Sequence, residues 1–342
     1  MSGLRLPFGP EHLVRRLGEG CMYLALLLAS MWGSAALLFD VRIGWLRIPC
    51  IVVYLAAVGA ALFYGRTFWR RIGLGLLCFA VVLGWWLSLK PPQIADWQAD
   101  VSRPAWGEVH GDTVTIHNLR LCDYRAEFDY TCAWQTRTVN LADLRGMDLF
   151  VDYWGSPWIA HTILTFDFGD ENRVAFSIEA RKRMGQEYSA IRGFFRQFTL
   201  ISIVSDERDV VELRTNYRKD ENLYLYHTTA TKPFARELFL DYIGFTNRLH
   251  THAEWYNAVT RNCTTQIYDL PAMKSQPWNW AILFNGKADA MEYKLGHLAT
   301  DGLSFDELKR RAYINPAAKA ADHDPNFSEL IREGRPGLGG LQ

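Results

Sequence analysis

The stretch CMYLALLLASMWGSAALLF, residues 21–39, decides the organisation of this chain. It contains no charged residue and has about the 20 apolar residues that an α-helix needs to cross the hydrocarbon core of a bilayer. Two similar uncharged runs follow at residues 48–64 and 73–89. The three runs together predict three transmembrane helices within an anchor that spans residues 1–90.

The surroundings of these runs support the interpretation as membrane spans. Tryptophans stand near run ends, where indole rings anchor helices at the membrane interface: Trp45, Trp69, Trp85 and Trp86. A cleaved signal peptide is the alternative for the first run, and Arg15 and Arg16 would suit it. Because two more spans follow closely, we favour a permanent helix.

The distribution of cations predicts the orientation in the membrane. Six arginines either precede the first run or lie between the second and third runs, on the side that we expect to be cytoplasmic: Arg5, Arg15, Arg16, Arg66, Arg70 and Arg71. The first loop carries only Arg42 and Arg47, together with Asp40. The positive-inside rule then places the N-terminus in the cytoplasm and everything after Lys90 outside. We therefore expect a multi-pass protein of a bacterial inner membrane with a periplasmic domain.

Charge and cysteine usage narrow the possible partners. The net charge is zero, so composition gives no reason to expect a nucleic-acid partner. Cys122 and Cys132 flank a polar stretch between strand-like segments, and in a hairpin they would face each other. A disulfide suits an oxidising compartment, whereas two unrelated buried thiols are the alternative.

Residues 91–333 are predicted to form one α+β domain, followed by a mobile glycine-rich tail at residues 334–342. Short apolar or alternating segments predict strands, at residues 112–120, 159–168, 173–179, 199–204 and 210–213. Turn-forming residues 167–172 suggest that the second and third of these strands pair as a hairpin.

Helices are predicted later in the chain. Apolar residues recur every three or four positions from Phe234 to Leu249, after a proline suited to the first helical turn. A short helix is expected to begin near Asn262 and to end before Pro271. Ser304 and Glu307 form a capping-box pattern for another helix.

Cys263 is the most informative residue of this domain. Asn262 is a good N-cap, which would place Cys263 in a first helical turn, where a thiolate is favoured. His161 lies in an apolar strand and needs a polar partner, which Glu179 or Ser177 on the next strand would supply. These residues suggest a Cys–His site. The alternatives are a buried small cysteine, a core histidine with satisfied hydrogen bonds, and solvent-facing Ser177 and Glu179.

Two other groups carry weaker signals. His250, His252 and Glu254 would share one face of a strand and would suit a metal, but the segment reads as a loop, so we expect no metal. Residues 206–209 and Arg214 look like a charged turn with ion pairs.

Several motifs in order resemble one known family. They are Trp154-Gly155 through His161, Ser177-Ile178-Glu179-Ala180-Arg181-Lys182, Leu213-Arg214-Thr215-Asn216, Trp255-Tyr256-Asn257 and Asn262-Cys263-Thr264-Thr265. Across residues 112–303 the chain resembles the periplasmic domain of Lnb-type lipoprotein N-acyltransferases. One departure is that this family is expected to have an aromatic residue near Cys122.

The resemblance implies a fold, a reaction and roles for residues. The fold would be a circularly permuted papain-like one, similar to NlpC-type peptidases and lecithin:retinol acyltransferase, with histidine preceding cysteine. Cys263 would take an acyl chain from a phospholipid as a thioester. His161 would act as the base, oriented by Glu179 or, as a substitute, Ser177. Site-supporting roles would fall to Asn262, Thr264, Tyr256, Arg181 and Arg214.

The resemblance also implies partners. The acceptor would be an amine, plausibly the N-terminal cysteine of a lipoprotein, and the bilayer would hold both substrates. No cofactor is expected. The rivals are a cysteine peptidase or amidase acting on cell-envelope peptides and a catalytically inactive envelope scaffold.

Overall fold

The structure is a computed structural model that describes residues 10–169, 172–276, 279–282 and 285–338. The chain divides into two compact units. One runs from the N-terminus to Pro91 and includes Phe195–Gln197, and the other contains the rest. Arg5, which contributed to the predicted orientation, lies outside the described residues.

The N-terminal unit consists of three apolar helices, as predicted. They are α1 (Pro10–Asp40), α2 (Arg47–Tyr64) and α3 (Phe68–Ser88). All three are long and apolar enough to cross a membrane. The last begins before the predicted run because the Thr67 side chain accepts a hydrogen bond from the Arg70 backbone N–H and caps the helix.

The helices of this unit pack closely at small residues. At Gly75 the Leu26 side chain lies so close that an added Cβ atom would be 2.7 Å from it, and a larger residue would require Leu26 to shift. Other apolar side chains point outward, and Leu28 and Val53 are 57% and 70% exposed. Small residues at helix contacts and apolar side chains outside are what a lipid environment requires.

The second unit is a mixed α+β domain built on a mostly antiparallel sheet, which confirms the predicted fold class. Its strands are β1 (Trp106–His110), β2 (Thr113–Ala126), β3 (Asp129–Asn140), β4 (Gly146–Trp154), β5 (Ala160–Asp167), β6 (Arg173–Arg181), β7 (Thr199–Asp206) and β8 (Glu221–His227). The spatial order is β1-β2-β7-β6-β5-β4-β8, with β3 paired to β2. The pairing of β2 with β7 is parallel and the other pairings are antiparallel.

Helices cover both faces of this sheet. They are α4 (Ala190–Gly193), α5 (Glu207–Glu212), α6 (Lys232–Thr251), α7 (Cys263–Tyr268), α8 (Ala288–Leu295), α9 (Phe305–Ala312), α10 (Asn315–Ala320) and α11 (Phe327–Leu330). Strand β5 is buried on both sides, since Leu164 and Phe166 join one apolar cluster and Ile163 joins the other. The presence of apolar residues on both faces of β5 is therefore explained by its two packed faces.

The helix predictions after residue 231 are confirmed. Thr231 caps α6, whose buried stripe includes Leu238, Tyr242 and Phe245. Phe239 of the same helix packs edge-on against the Phe166 ring of the sheet, with ring centroids 5.1 Å apart. Helix α7 begins after Asn262, and α9 begins after Ser304 as its capping pattern indicated.

The prediction of a strand at residues 210–213 is wrong. This segment completes α5 and continues as a π-helical turn, Leu213–Tyr217. The Asp206 side chain caps α5 by accepting a hydrogen bond from the Arg208 backbone N–H. The charged segment before it is helical from Glu207 onward rather than a turn. The predicted ion pairs are present, because buried Glu207 binds Arg332 and buried Asp209 binds Arg120.

Cys122 and Cys132 lie directly opposite each other in the β2–β3 ladder and are joined by a disulfide bond. Their Cα atoms are 4.0 Å apart. The bond therefore links two neighbouring strands at one edge of the sheet.

The C-terminal segment folds back onto the domain where it is described. The Arg335 guanidinium donates to the Tyr313 carbonyl, and the Gly337 N–H donates to the Asp301 carboxylate. Residues 339–342 of the tail predicted to be mobile lie outside the described residues.

Candidate active site

His161 lies where two neighbouring strands of the sheet separate. It is the second residue of β5 and pairs with Asp152 of β4. On its other side, the β5–β6 ladder reaches only to the pair Ile163 and Ser177. Beyond that pair β6 continues along β7 alone, and α7 packs against both β5 and β6. The separation of the strands gives a residue of α7 access to His161.

Cys263 is the first residue of α7. The Asn262 side chain accepts a hydrogen bond from the Thr265 N–H at 3.0 Å, and the Thr265 hydroxyl accepts one from the Asn262 N–H at 2.9 Å. This reciprocal capping box fixes the start of the helix and therefore the position of the thiol. Cys263 is only 5% exposed.

The surroundings of the thiol favour its ionised form. Burial raises the pKa of Cys263, but the charge and hydrogen bond of the His161 imidazole, the Thr162 backbone N–H and the Thr264 hydroxyl outweigh it. Together these contacts lower the pKa of Cys263 from an ordinary value of 9.0 to about 6. A thiol with this pKa is mostly thiolate at neutral pH, and the thiolate is the nucleophilic form of cysteine.

Ser177 joins His161 to Glu179. The His161 Nε2 and Ser177 Oγ atoms are 2.7 Å apart, and the serine hydroxyl donates to Glu179 Oε1 at 2.7 Å. The direct separation of His161 Nε2 and Glu179 Oε1 is 3.9 Å. Since the serine proton is directed at Glu179, the serine oxygen accepts from Nε2–H, and this hydrogen-bond assignment leaves Nδ1 as the free ring nitrogen.

A buried arginine holds Glu179 in its charged form. Arg214 is 2% exposed and donates to Glu179 Oε1 at 2.8 Å, and its Nε lies 3.3 Å from Asp152 Oδ2. Burial raises the pKa of Glu179, but the charges of Arg214 and His161 lower it well below its usual range. Burial and the adjacent carboxylate of Glu221 raise the pKa of Asp152.

The remaining candidate residues fall into different places. Thr264 Oγ1 is 3.7 Å from Cys263 Sγ. The Tyr256 hydroxyl is 3.1 Å from that of Tyr188, and burial, Tyr188 and the nearby Cys263 raise the pKa of Tyr256. Arg181 instead binds backbone carbonyls of the segment before β1.

Arg181 contacts backbone groups and an aromatic ring. Its guanidinium donates to the Val101 and Ser102 carbonyls at 2.8 Å each and lies 4.2 Å from the centroid of the Trp97 ring. These contacts tie β6 to the segment that enters the domain.

Asn285 is a site residue that the sequence analysis missed. Its side-chain amide donates to Cys263 Sγ at 3.6 Å, and its oxygen accepts from the Ala160 N–H at 3.0 Å. The second contact orients the amide so that its N–H groups face the thiol. No motif marks Asn285, whereas the other missed residue, Asp152, could have been noticed as an acid within the apolar strand β4.

The two groups with metal-ligand residues do not belong to this site. His250 contacts the Pro104 carbonyl at 3.3 Å, and Glu254 pairs with Arg248 at 2.9 Å. Glu212, Asp322 and His323 bring ligand atoms within 4.8 Å of one another, but Asp322 and His323 are exposed.

The fold and the site define a class of protein: an α+β domain with a buried Cys–His pair, in a chain with three candidate membrane spans. Residues 130–283 match the family model of the Lnb N-terminal periplasmic domain. The matched segment contains Cys263, His161, Ser177 and Glu179. No curated protein and no solved structure matches the chain significantly, and the papain-like relationship stays a prediction.

Proposed function

We propose that the protein is a membrane-anchored thiol acyltransferase that moves a fatty acyl chain from a phospholipid to an amine. The observation that carries this proposal is the buried Cys263, whose pKa is lowered to about 6 beside His161 within an Lnb domain. The amine is that of an N-terminal cysteine of a lipoprotein. No cofactor takes part in the proposed reaction.

In the first half of the reaction, Cys263 Sγ attacks the carbonyl carbon of a phospholipid ester. The negative charge moves to the carbonyl oxygen, where the Asn285 amide and the Cys263 backbone N–H donate hydrogen bonds. Collapse of this intermediate breaks the ester C–O bond. The departing alkoxide takes a proton from Nδ1 of the His161 imidazolium and leaves as a lysophospholipid.

In the second half, the acceptor amine attacks the thioester carbonyl. Neutral His161 takes a proton from the amine nitrogen, the C–S bond breaks, and an amide is released. The thiolate and the imidazolium are both regenerated. Glu179 acts through Ser177 to hold the Nε2–H tautomer, which keeps Nδ1 directed at the reacting atoms.

The anchor serves this chemistry by confining the enzyme to the surface that carries its substrates. Both a phospholipid and a lipoprotein are membrane-bound, so attachment raises their effective concentration at the site. We propose the topology that the cations favour: a cytoplasmic N-terminus, an anchor over residues 1–90 in the bacterial inner membrane, and a periplasmic domain over residues 91–333. The last residues, 334–342, are proposed to form a tail.

Apolar surroundings support a lipid substrate over a peptide. Cys263 belongs to the same apolar cluster as Ile267 and Leu270 of its own segment. Nearby, the exposed rings of Trp158 and Trp280 lie 6.5 Å apart, and the Trp158 carbonyl accepts from the residue after Asn285. Exposed indole rings suit a membrane interface, where one edge is apolar and the other hydrated.

Intact-protein mass spectrometry after incubation with phospholipid tests the proposal. Wild type should gain the mass of one acyl chain, labile to hydroxylamine. The adduct should be absent from Cys263→Ala and retained in Cys78→Ala, a matched control for a free thiol in α3.

Other outcomes point elsewhere. Wild-type protein that stays unmodified but cleaves peptides with Cys263 would indicate a peptidase or amidase. Protein with neither activity would indicate a scaffold.

A further inference from the structure

A largely apolar pocket lies beside α7, on the face of the sheet covered by α6. Its cavity volume is about 250 Å³, slightly below the roughly 300–1,000 Å³ typical of ligand pockets. Long apolar side chains make up much of its walls, among them Met147, Leu149, Leu164, Leu238, Ile267 and Met273. Such walls offer contact to hydrocarbon and few hydrogen bonds.

The inner end of the pocket reaches the reactive residues. Thr162 and Thr264 line it, and they directly follow His161 and Cys263 in the chain. Their hydroxyl oxygens are 3.5 Å apart, and that of Thr264 is 3.7 Å from Cys263 Sγ. The sulfur is therefore 3.7 Å from a residue that lines the apolar space.

Polar and exposed residues also line the pocket. His297 Nδ1 and Glu292 Oε2 are 2.6 Å apart there, and Thr229 and Thr231 are exposed. Tyr268 also contacts the Glu292 carboxylate. The pocket thus combines buried threonines beside the thiol, apolar walls, and polar residues of which some are exposed.

We propose that this pocket holds the acyl chain while its carbonyl carbon is bonded to Cys263, an inference that rests on the proposed acyl transfer. A phosphate or a peptide backbone would leave its polar groups unpaired against these walls, so the headgroup stays outside. Met147 and Met273 have flexible side chains that fit chains of different shape. The depth of the pocket then sets which chain lengths are transferred.

Narrowing the pocket tests this assignment. Ala230 lines the pocket and is only partly buried, so Ala230→Phe fills space at low risk to folding. Ala288→Leu narrows the pocket from another wall. Ala320→Phe, on the exposed end of α10, is the matched control. Thioester formation is measured by mass spectrometry with dihexanoyl and dipalmitoyl phosphatidylethanolamine in the same detergent micelles.

We expect each narrowing variant to lower the ratio of palmitoyl to hexanoyl adduct at least tenfold relative to wild type, with the ratio of the control unchanged. A ratio within twofold of wild type in both variants, with melting temperatures preserved, would overturn the pocket assignment and leave acyl transfer standing. Absence of any adduct on wild type would instead remove the proposed function.

A binding measurement examines the pocket without the thioester. Cys263→Ala protein should bind the fluorescent fatty acid cis-parinaric acid, and adding Ala230→Phe should weaken that binding at least tenfold. Equal binding with and without Ala230→Phe would refute the pocket even if the thioester chemistry were absent.

Discussion

Replacing His161 with glutamine should raise the pKa of Cys263 by at least three pH units. His161 supplies the largest contribution that lowers the pKa of Cys263, which is about 6 in the folded protein. Glutamine keeps an amide that can donate to Ser177 but carries no charge. Because burial by itself raises the pKa of this thiol, the variant should ionise at or above the ordinary value of 9.0.

The direction of the pH dependence follows from the lowered pKa. Thiolate is present above about pH 6 and is lost as the pH falls through 6. The shift from 9.0 corresponds to about 4 kcal/mol of preferential stabilisation of the thiolate. At pH 7 about nine-tenths of wild-type Cys263 would be thiolate, against about one-hundredth in the variant.

The alkylation rate measured at a single pH would understate this difference in thiolate fraction. A thiolate of higher pKa is intrinsically more nucleophilic, and over three units this returns about 15- to 30-fold in rate. Alkylation at pH 7 should therefore fall only about three- to sixfold in His161→Gln. The midpoint of the pH–rate profile depends on the pKa of the thiol and is not affected by the change in nucleophilicity.

The assay is the rate of iodoacetamide alkylation of Cys263 against pH, read by peptide mass mapping so that Cys21, Cys50 and Cys78 do not interfere. His252→Gln removes an exposed histidine of the same domain and should keep the wild-type midpoint near 6. A wild-type midpoint near 9, or a midpoint that stays near 6 in His161→Gln, would refute the reasoning.

Two further variants examine the groups around the pair. Glu179→Gln removes one of the carboxylates that bind the buried Arg214, and it should lower the free energy of unfolding by about 3–5 kcal/mol and slow thioester formation; a denaturant midpoint equal to that of wild type would contradict this. Asn285→Ala should slow thioester formation about 10²- to 10³-fold, because this amide acts on the developing oxyanion. It should raise the alkylation midpoint far less than His161→Gln does, because it removes a hydrogen bond to the sulfur but no charge. An unchanged rate of thioester formation would exclude the role at the oxyanion.

Local signals in the sequence were sufficient for much of the fold. The three apolar helices follow from run length and the absence of charge. Helix α6 follows from its 3.6-residue period and its proline near the start, and α7 follows from the cap at Asn262. In each case the residues that determine the element are within a few positions of it.

The segment at residues 210–213 was mispredicted because its partners are distant in sequence. Two adjacent valines favour a strand when read alone. Asp209, just before them, instead binds Arg120, which is 89 positions away, and Glu207 binds Arg332 at a separation of 125 positions. These buried ion pairs let a highly charged segment enter the core as a helix, which a local pattern does not reveal.

The candidate site was partly accessible to the same kind of reasoning. Cys263 and His161 were identified because each breaks a local rule: a thiol follows a helix cap, and an imidazole interrupts an apolar strand. Asn285 was missed because its contact with the thiol depends on a loop that no motif marks. The choice between Ser177 and Glu179 depended on the strand geometry.

That geometry gives the two residues different tasks. If β5 and β6 stayed paired beyond Ile163 and Ser177, His161 would lie directly opposite Glu179. Because the strands separate, the serine hydroxyl bridges the two.

Glu179 uses the same oxygen, Oε1, to accept from Ser177 and from Arg214. This carboxylate therefore forms an ion pair with the guanidinium and also lies 3.9 Å from His161 Nε2. Glu179 and Ser177 thus orient the ring and select its tautomer. In the proposed reaction, the thiolate of Cys263 and the imidazolium of His161 are consumed in the first half and regenerated together in the second.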